Sequence, residues 1–173
     1  MNAPLLPANP AVKMWEKPPM GHVKINFDAS VNNNRINFRV IAMDEGGFVI
    51  GGGGGFKDEI MLIEKAESYA FDESIKIVCA LNIQIVVIFE TNNASLVNSV
   101  KHHCTDFIVI SAQIKESIKA LETFKYAKLC WENRCCNTVA DFISKKLCSV
   151  ACNWFFDMDY RLEIHDFAIC DAI

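Results

Sequence analysis

The chain has 173 residues, with 17 Lys+Arg against 21 Asp+Glu, a formal charge of −4 and a 51% hydrophobic composition. That length suits one compact domain with a real core, and the apolar content excludes global disorder. The mild acidity argues against a protein that grips nucleic acid mainly through a basic surface.

Residues Met1 to Pro7 carry neither a basic n-region nor a long apolar stretch, so no secretory signal is expected. The longest apolar run, Ile83 to Phe89, is too short to span a bilayer, and no membrane partner is expected. The eight cysteines include no C-x-x-C pair. Cys148 with Cys152, and the run His102-His103-Cys104, come nearest to a zinc pattern, but the paired short spacings that usually build such sites are missing. The expectation is buried, reduced thiols in an intracellular location, nuclear or cytoplasmic.

In chain order, residues 1–14 hold three of the five prolines and read as an extended leader, continued by the irregular stretch Trp15 to Gly21. Val23 to Asp28 alternates apolar and polar residues, a strand signal. Asn32-Asn33-Asn34 marks a turn, Phe38 to Met43 a second strand, Asp44-Glu45-Gly46-Gly47 another turn, and Phe48-Val49-Ile50 opens a third strand. An antiparallel meander is expected. The run Gly51 to Gly55 is followed by Phe56-Lys57-Asp58, not by the Lys and Ser/Thr of a phosphate-cradling loop, so it reads as a glycine-weakened strand or bulge.

From Ile63 to Leu81 the residues Ile63, Ala66, Ala70, Ser74, Ile77, Val78 and Leu81 recur at helical spacing, with Asn82 placed as a left-handed C-terminal cap. Ile83 to Phe89 is nearly continuous β-branched sequence, as in a parallel strand buried on both faces. Helices over 94–102 and 110–124, a strand over 126–132, and a helix capped by Asn137 and running to about Val150 complete a βββ-α-β-α-α-β-α order. That order is a mixed α/β sheet with helices on its faces. Residues 22–150 form the predicted domain body, after a leader at 1–21. The tail at 151–173, with Trp154, Phe155, Phe156 and Phe167, is expected to pack back on it.

Four places in this plan could carry chemistry. Asp28 lies on the first strand, on the face opposite Val23, Ile25 and Phe27, and Glu67 lies in the early turns of the long helix. Glu90-Thr91-Asn92-Asn93 leaves the carboxyl end of the buried strand, where open α/β sheets place their sites. Asp141 falls one turn into the last helix. Scattered carboxylates of this kind suit Mg²⁺, and two cations about 4 Å apart can drive phosphodiester cleavage. Taken singly, each acid reads as an ordinary surface charge or cap, and Glu67 could simply favour the helix dipole.

Together these stretches resemble the plant-type, reverse-transcriptase-like branch of the ribonuclease H family. Trp15-x-x-Pro18-Pro19-x-Gly21-x-x-Lys24-x-Asn26-x-Asp28-x-Ser30 resembles its opening strand, and Ala66-Glu67-x-x-Ala70 its first catalytic helix. Glu90-Thr91-Asn92 resembles its Glu-Ser-Asp, and Arg134-x-x-Asn137-x-x-Ala140-Asp141 the approach to its last helix. The resemblance covers roughly residues 15 to 150. It implies a ribonuclease H-like five-stranded mixed sheet, three antiparallel then two parallel strands, flanked by helices. It also implies cleavage of the RNA strand of RNA–DNA hybrids with two Mg²⁺ ions, Mn²⁺ being the alternative metal; a monomer is expected. Asp28, Glu67, Asn92 and Asp141 then stand at the catalytic and metal-binding positions, and Ser30, Arg134 and Asn137 at nucleic-acid-binding ones.

The departures from the family are specific. Its third Asp is Asn92 here, an amide that offers one neutral oxygen where a carboxylate offers two and a charge. Met43 replaces a frequent Arg, Asn32-Asn33-Asn34 replaces glycines, and only Lys115, Lys119, Lys125 and Lys128 offer a modest basic patch, which is equally a solvated face. Three functions follow: an active endonuclease; a cleavage-impaired module, such as a retroelement polyprotein remnant, binding hybrid or single-stranded nucleic acid; and a structural domain with no nucleic-acid role.

Overall fold

The computed structural model describes residues 16–60, 62–102, 112–133 and 153–157. Strands β1 (His22–Asn32), β2 (Arg35–Met43) and β3 (Val49–Asp58) form the expected antiparallel meander. Helix α1 (Ile63–Ala80), strand β4 (Val86–Thr91), helices α2 (Ala94–His102) and α3 (Ala112–Leu121), and strands β5 (Tyr126–Trp131) and β6 (Trp154–Phe156) follow. The sheet order is β5-β4-β1-β2-β3-β6, with β4 parallel to both β1 and β5. The fold is thus the expected mixed α/β sheet, with six strands among the described residues instead of five.

Asparagine makes the first hairpin. Asn33 and Asn34 both have positive φ, 50° and 60°, the two-residue turn whose twist matches antiparallel strands, and Asn32 pairs directly with Arg35. Because the turn is that tight, β1 and β2 run right up to it, beyond the limits that alternation alone suggests. In the second turn Asp44 Oδ1 accepts from the backbone N–H groups of Gly46 and Phe48, each at 2.9 Å. The register then slips between Ala42 and Met43, whose partners are Gly51 and Val49.

The glycine run is β-strand, and the sixth strand explains it. Gly52, Gly53 and Gly54 pair with Phe156, Phe155 and Trp154. A methyl on Gly54 would lie 2.7 Å from Trp154 Cζ2, and one on Gly52 would lie 2.4 Å from the Val40 carbonyl oxygen. Bare backbone lets the stacked Trp154 and Phe156 rings, 5.5 Å apart, sit down on β3.

Helix α1 ends as its sequence suggests. Asn82 has φ 54°, its N–H donates to the Cys79 carbonyl, and the Ile83 N–H reaches back to Val78. Its buried face is Ala66, Glu67, Ser68, Ala70, Phe71, Ser74, Ile75 and Val78, so the stripe is rotated toward Phe71 and Ile75, and Ile63 is left exposed. Small residues on that face bring α1 close over β1 and β2. Phe71 meets Phe27 at 5.4 Å and Phe89 at 5.5 Å in the centre of the core. β4 begins at Val86, three residues later than the apolar run, because Ile85 is exposed and Ile83 only packs on the core margin. Among the described residues no helix is long and apolar enough to cross a membrane.

Candidate nucleic-acid-processing site

The pleat of β1 separates its two jobs. Val23, Ile25, Phe27 and Ala29 enter the core, and Lys24, Asn26 and Asp28 take the other face. Asp28 is the fifth residue pair back from the Asn33–Asn34 turn, and its partner there is Arg39 of β2. Directly opposed residues project to the same side. The Arg39 guanidinium accordingly forms an ion pair with the Asp28 carboxylate, with side-chain exposures of only 17% and 13%.

Glu67 approaches from α1. It is 4% exposed, its carboxylate accepts the Ala29 backbone N–H, and its Oε2 is buried without a hydrogen-bond partner among the described residues. Burial pushes the Glu67 carboxyl up to about 8, the neighbouring Asp28 charge adds to this, and the Ala29 hydrogen bond and Arg39 oppose it. Asp28 and Glu67 therefore form an interacting carboxyl pair.

The end of β4 supplies the third position. Asn26 and Glu90 are the last pair of the β1–β4 ladder, and Asn92 follows two residues after Glu90 as Asp28 follows two after Asn26. Its backbone is pinned: the Asn92 carbonyl accepts Trp131 Nε1 at 3.1 Å, and Thr91 accepts the Glu132 N–H at 2.9 Å. Asn93, not Asn92, caps α2, its Oδ1 accepting the Leu96 N–H at 2.9 Å. Glu90 plays a structural part. Its carboxylate lies 2.9 Å from Lys24 Nζ and accepts from Asn26 Nδ2 at 3.3 Å; burial raises its pKa against the pull of Lys24.

The donors gathered here are two carboxylates and one amide, and Asp28 is already engaged by a guanidinium. Among the described residues no group of three His, Cys, Asp or Glu is arranged to hold a metal ion. A pair of dications needs several converging anionic oxygens, and the described donors alone do not supply them, Asp141 lying outside the described residues.

Of the remaining predicted site residues, Ser30 is exposed on β1, and Arg134, Asn137 and Asp141 lie outside the described residues. Lys115, Lys119, Lys125 and Lys128 are all exposed. The buried-thiol expectation fails where it can be examined, since Cys79 is exposed on α1 and Cys130 only half-buried, both unpaired. Arg39 was not among the predicted site residues, although its place was countable: a two-residue turn at Asn33–Asn34 sets 39 opposite 28.

The family model for reverse transcriptase-like proteins matches residues 26–147. No curated protein is similar enough in sequence to match. RNase H1 from the halophilic archaeon Halobacterium salinarum NRC-1 superposes with a TM-score of 0.62 at 14% identity, covering 75% of this chain and 100% of that one. The N-terminal RNase H domain of a Mycobacterium tuberculosis protein gives a TM-score of 0.61 at 12% identity, covering 88% and 99%. LC11-RNase H1, solved in complex with an RNA/DNA hybrid, gives 0.55 at 16%, covering 69% and 91%. The family match spans most of the chain, so the chain belongs to the reverse transcriptase-like family, and it has the fold of these RNase H domains.

Proposed function

We propose that this chain is a ribonuclease H-type domain that binds RNA–DNA hybrids and is impaired in cleaving their RNA strand. The observation that carries the impairment is Asn92: a neutral amide follows the end of β4, where the resemblance to the family implies a third carboxylate. Replacing an anion by an amide there removes a negative charge and a ligand oxygen from the centre that would hold Mg²⁺. The hybrid-bound relative LC11-RNase H1 supports the choice of ligand. On this chain the exposed Ser30 and the exposed lysines of α3 and β5, with Arg134 and Asn137, are the proposed phosphate contacts, and the net charge of −4 keeps the grip weak.

A competent nuclease is the second reading, and one observation favours it: Oε2 of Glu67 is buried next to Asp28 without a partner among the described residues. A gel shift with a labelled hybrid, competed by duplex DNA and by single strands at low salt, tests the binding. Hybrid retained against duplex competitor is the expected result. No shift at all removes both nucleic-acid readings and leaves a structural domain.

A further inference from the structure

We propose that the Arg39 guanidinium is the resident counter-ion of the Asp28 carboxylate, so that this site takes up no divalent cation. The inference deepens the proposed impairment and rests on that assignment of the site, but it does not depend on nucleic-acid binding. Its first support is geometry. β2 lies between β1 and β3, Arg39 pairs with Asp28 on one side and with Gly54 on the other, and the two-residue turn allows no slip of register. Arg39 therefore cannot leave the face of Asp28 without breaking the middle of the sheet.

Its second support is electrostatic. Both partners are largely shielded from water, where the attraction of opposite charges exceeds that of a surface pair. Arginine stays protonated at any physiological pH, and its planar fork matches a carboxylate. A dication arriving at Asp28 must either displace that guanidinium or sit against its positive charge. The usual compensation would be further carboxylates; Asn92 brings none, and Asp141, the remaining candidate, lies outside the described residues. A guanidinium held on β2 and an amide in place of an anion after β4 leave Asp28 itself already paired with a cation.

The test is metal binding by the whole chain without nucleic acid. Thermal unfolding of EDTA-treated protein is compared in Mg²⁺ and in NaCl of equal ionic strength, for the wild type, Asp28→Asn, Arg39→Gln, and Arg39→Gln combined with Asp28→Asn. The wild-type midpoint should differ between the two salts by less than about 1 °C, whereas a ligand bound only by the native state would raise it by several. Arg39→Gln should gain a Mg²⁺-dependent rise that the double variant loses. A rise in the wild type that Asp28→Asn removes overturns the proposal, as does Arg39→Gln gaining none. Should Arg39→Gln not fold, Mn²⁺ titration of the ¹⁵N-labelled wild type decides. Amide signals of Ala29 and Ser68 that stay sharp at equimolar metal support the proposal, and their selective broadening overturns it. Failure of hybrid binding would alter none of these readings.

Discussion

Lys24 Nζ lies 2.9 Å from Glu90 Oε1, joining β1 to its parallel neighbour β4 through a pair whose side chains are only 9% and 5% exposed. Lys24 also donates to the Glu16 carbonyl at 2.6 Å, and Asn26 supports the same carboxylate. Lys24 lies four residues before Asp28 and Glu90 two before Asn92, so the buried pair holds together the two strands that lead to the site. Removing one partner strands the other charge. Lys24→Met should cost about 3–5 kcal/mol, and adding Glu90→Leu should restore most of it. Urea unfolding of the two variants measures both effects.

Glu67 makes stability depend on pH, and the sign is determined by the direction of its shift. Its folded pKa, about 8, is above the unfolded value near 4.5, so between them the native state holds a proton that the unfolded chain has released. Stability is then fully present below about pH 4.5 and is lost as pH rises through about 8. The loss should be on the order of a few kcal/mol, and Glu67→Gln should flatten it. Urea midpoints from pH 5 to pH 9 in EDTA, for wild type and variant, give the slope.

The glycine strand and the C-terminal aromatic strand should be energetically coupled. Gly54→Ala puts a methyl 2.7 Å from the Trp154 ring and should destabilise by about 1–3 kcal/mol. In a Trp154→Ala background that clash is gone, so the combined loss should fall short of the sum by about 1 kcal/mol. A double-mutant cycle in denaturant reads the coupling.

These relationships show where sequence reasoning reached and where it stopped. The meander, α1 with its Asn82 cap, and β4 were legible because alternation, helical spacing and left-handed asparagines are local signals. Asp28 and Glu67 were legible only as members of a spaced motif set. The Arg39–Asp28 pair is non-local, and strand alternation shows Arg39 merely as a polar residue among apolar ones. It becomes a site residue once the two-residue turn is known to set the register. β6 was hidden for a similar reason: three aromatic residues in a tail say that it packs, but only the bare backbone of Gly52 to Gly54 says where. Glu67 looked like a helix-end charge because its burial comes from the rotation of α1 toward Phe71.

Restoring hydrolysis should require changes at both Arg39 and Asn92. Asn92→Asp alone leaves Arg39 on Asp28, and Arg39→Gln alone leaves the amide. Only the Arg39→Gln/Asn92→Asp variant should cut hybrid in Mg²⁺ above the wild-type background. Each step is read as RNA product per bound complex, so that a change in affinity is not mistaken for a change in chemistry.

The most direct measurement is a single-turnover assay in which the wild-type chain, in excess over an end-labelled RNA–DNA hybrid at low salt, is followed for both binding and cleavage in Mg²⁺. The hybrid should be bound and its RNA strand should stay intact. RNA cleavage by the wild type that disappears in Asp28→Asn would contradict the proposed impairment.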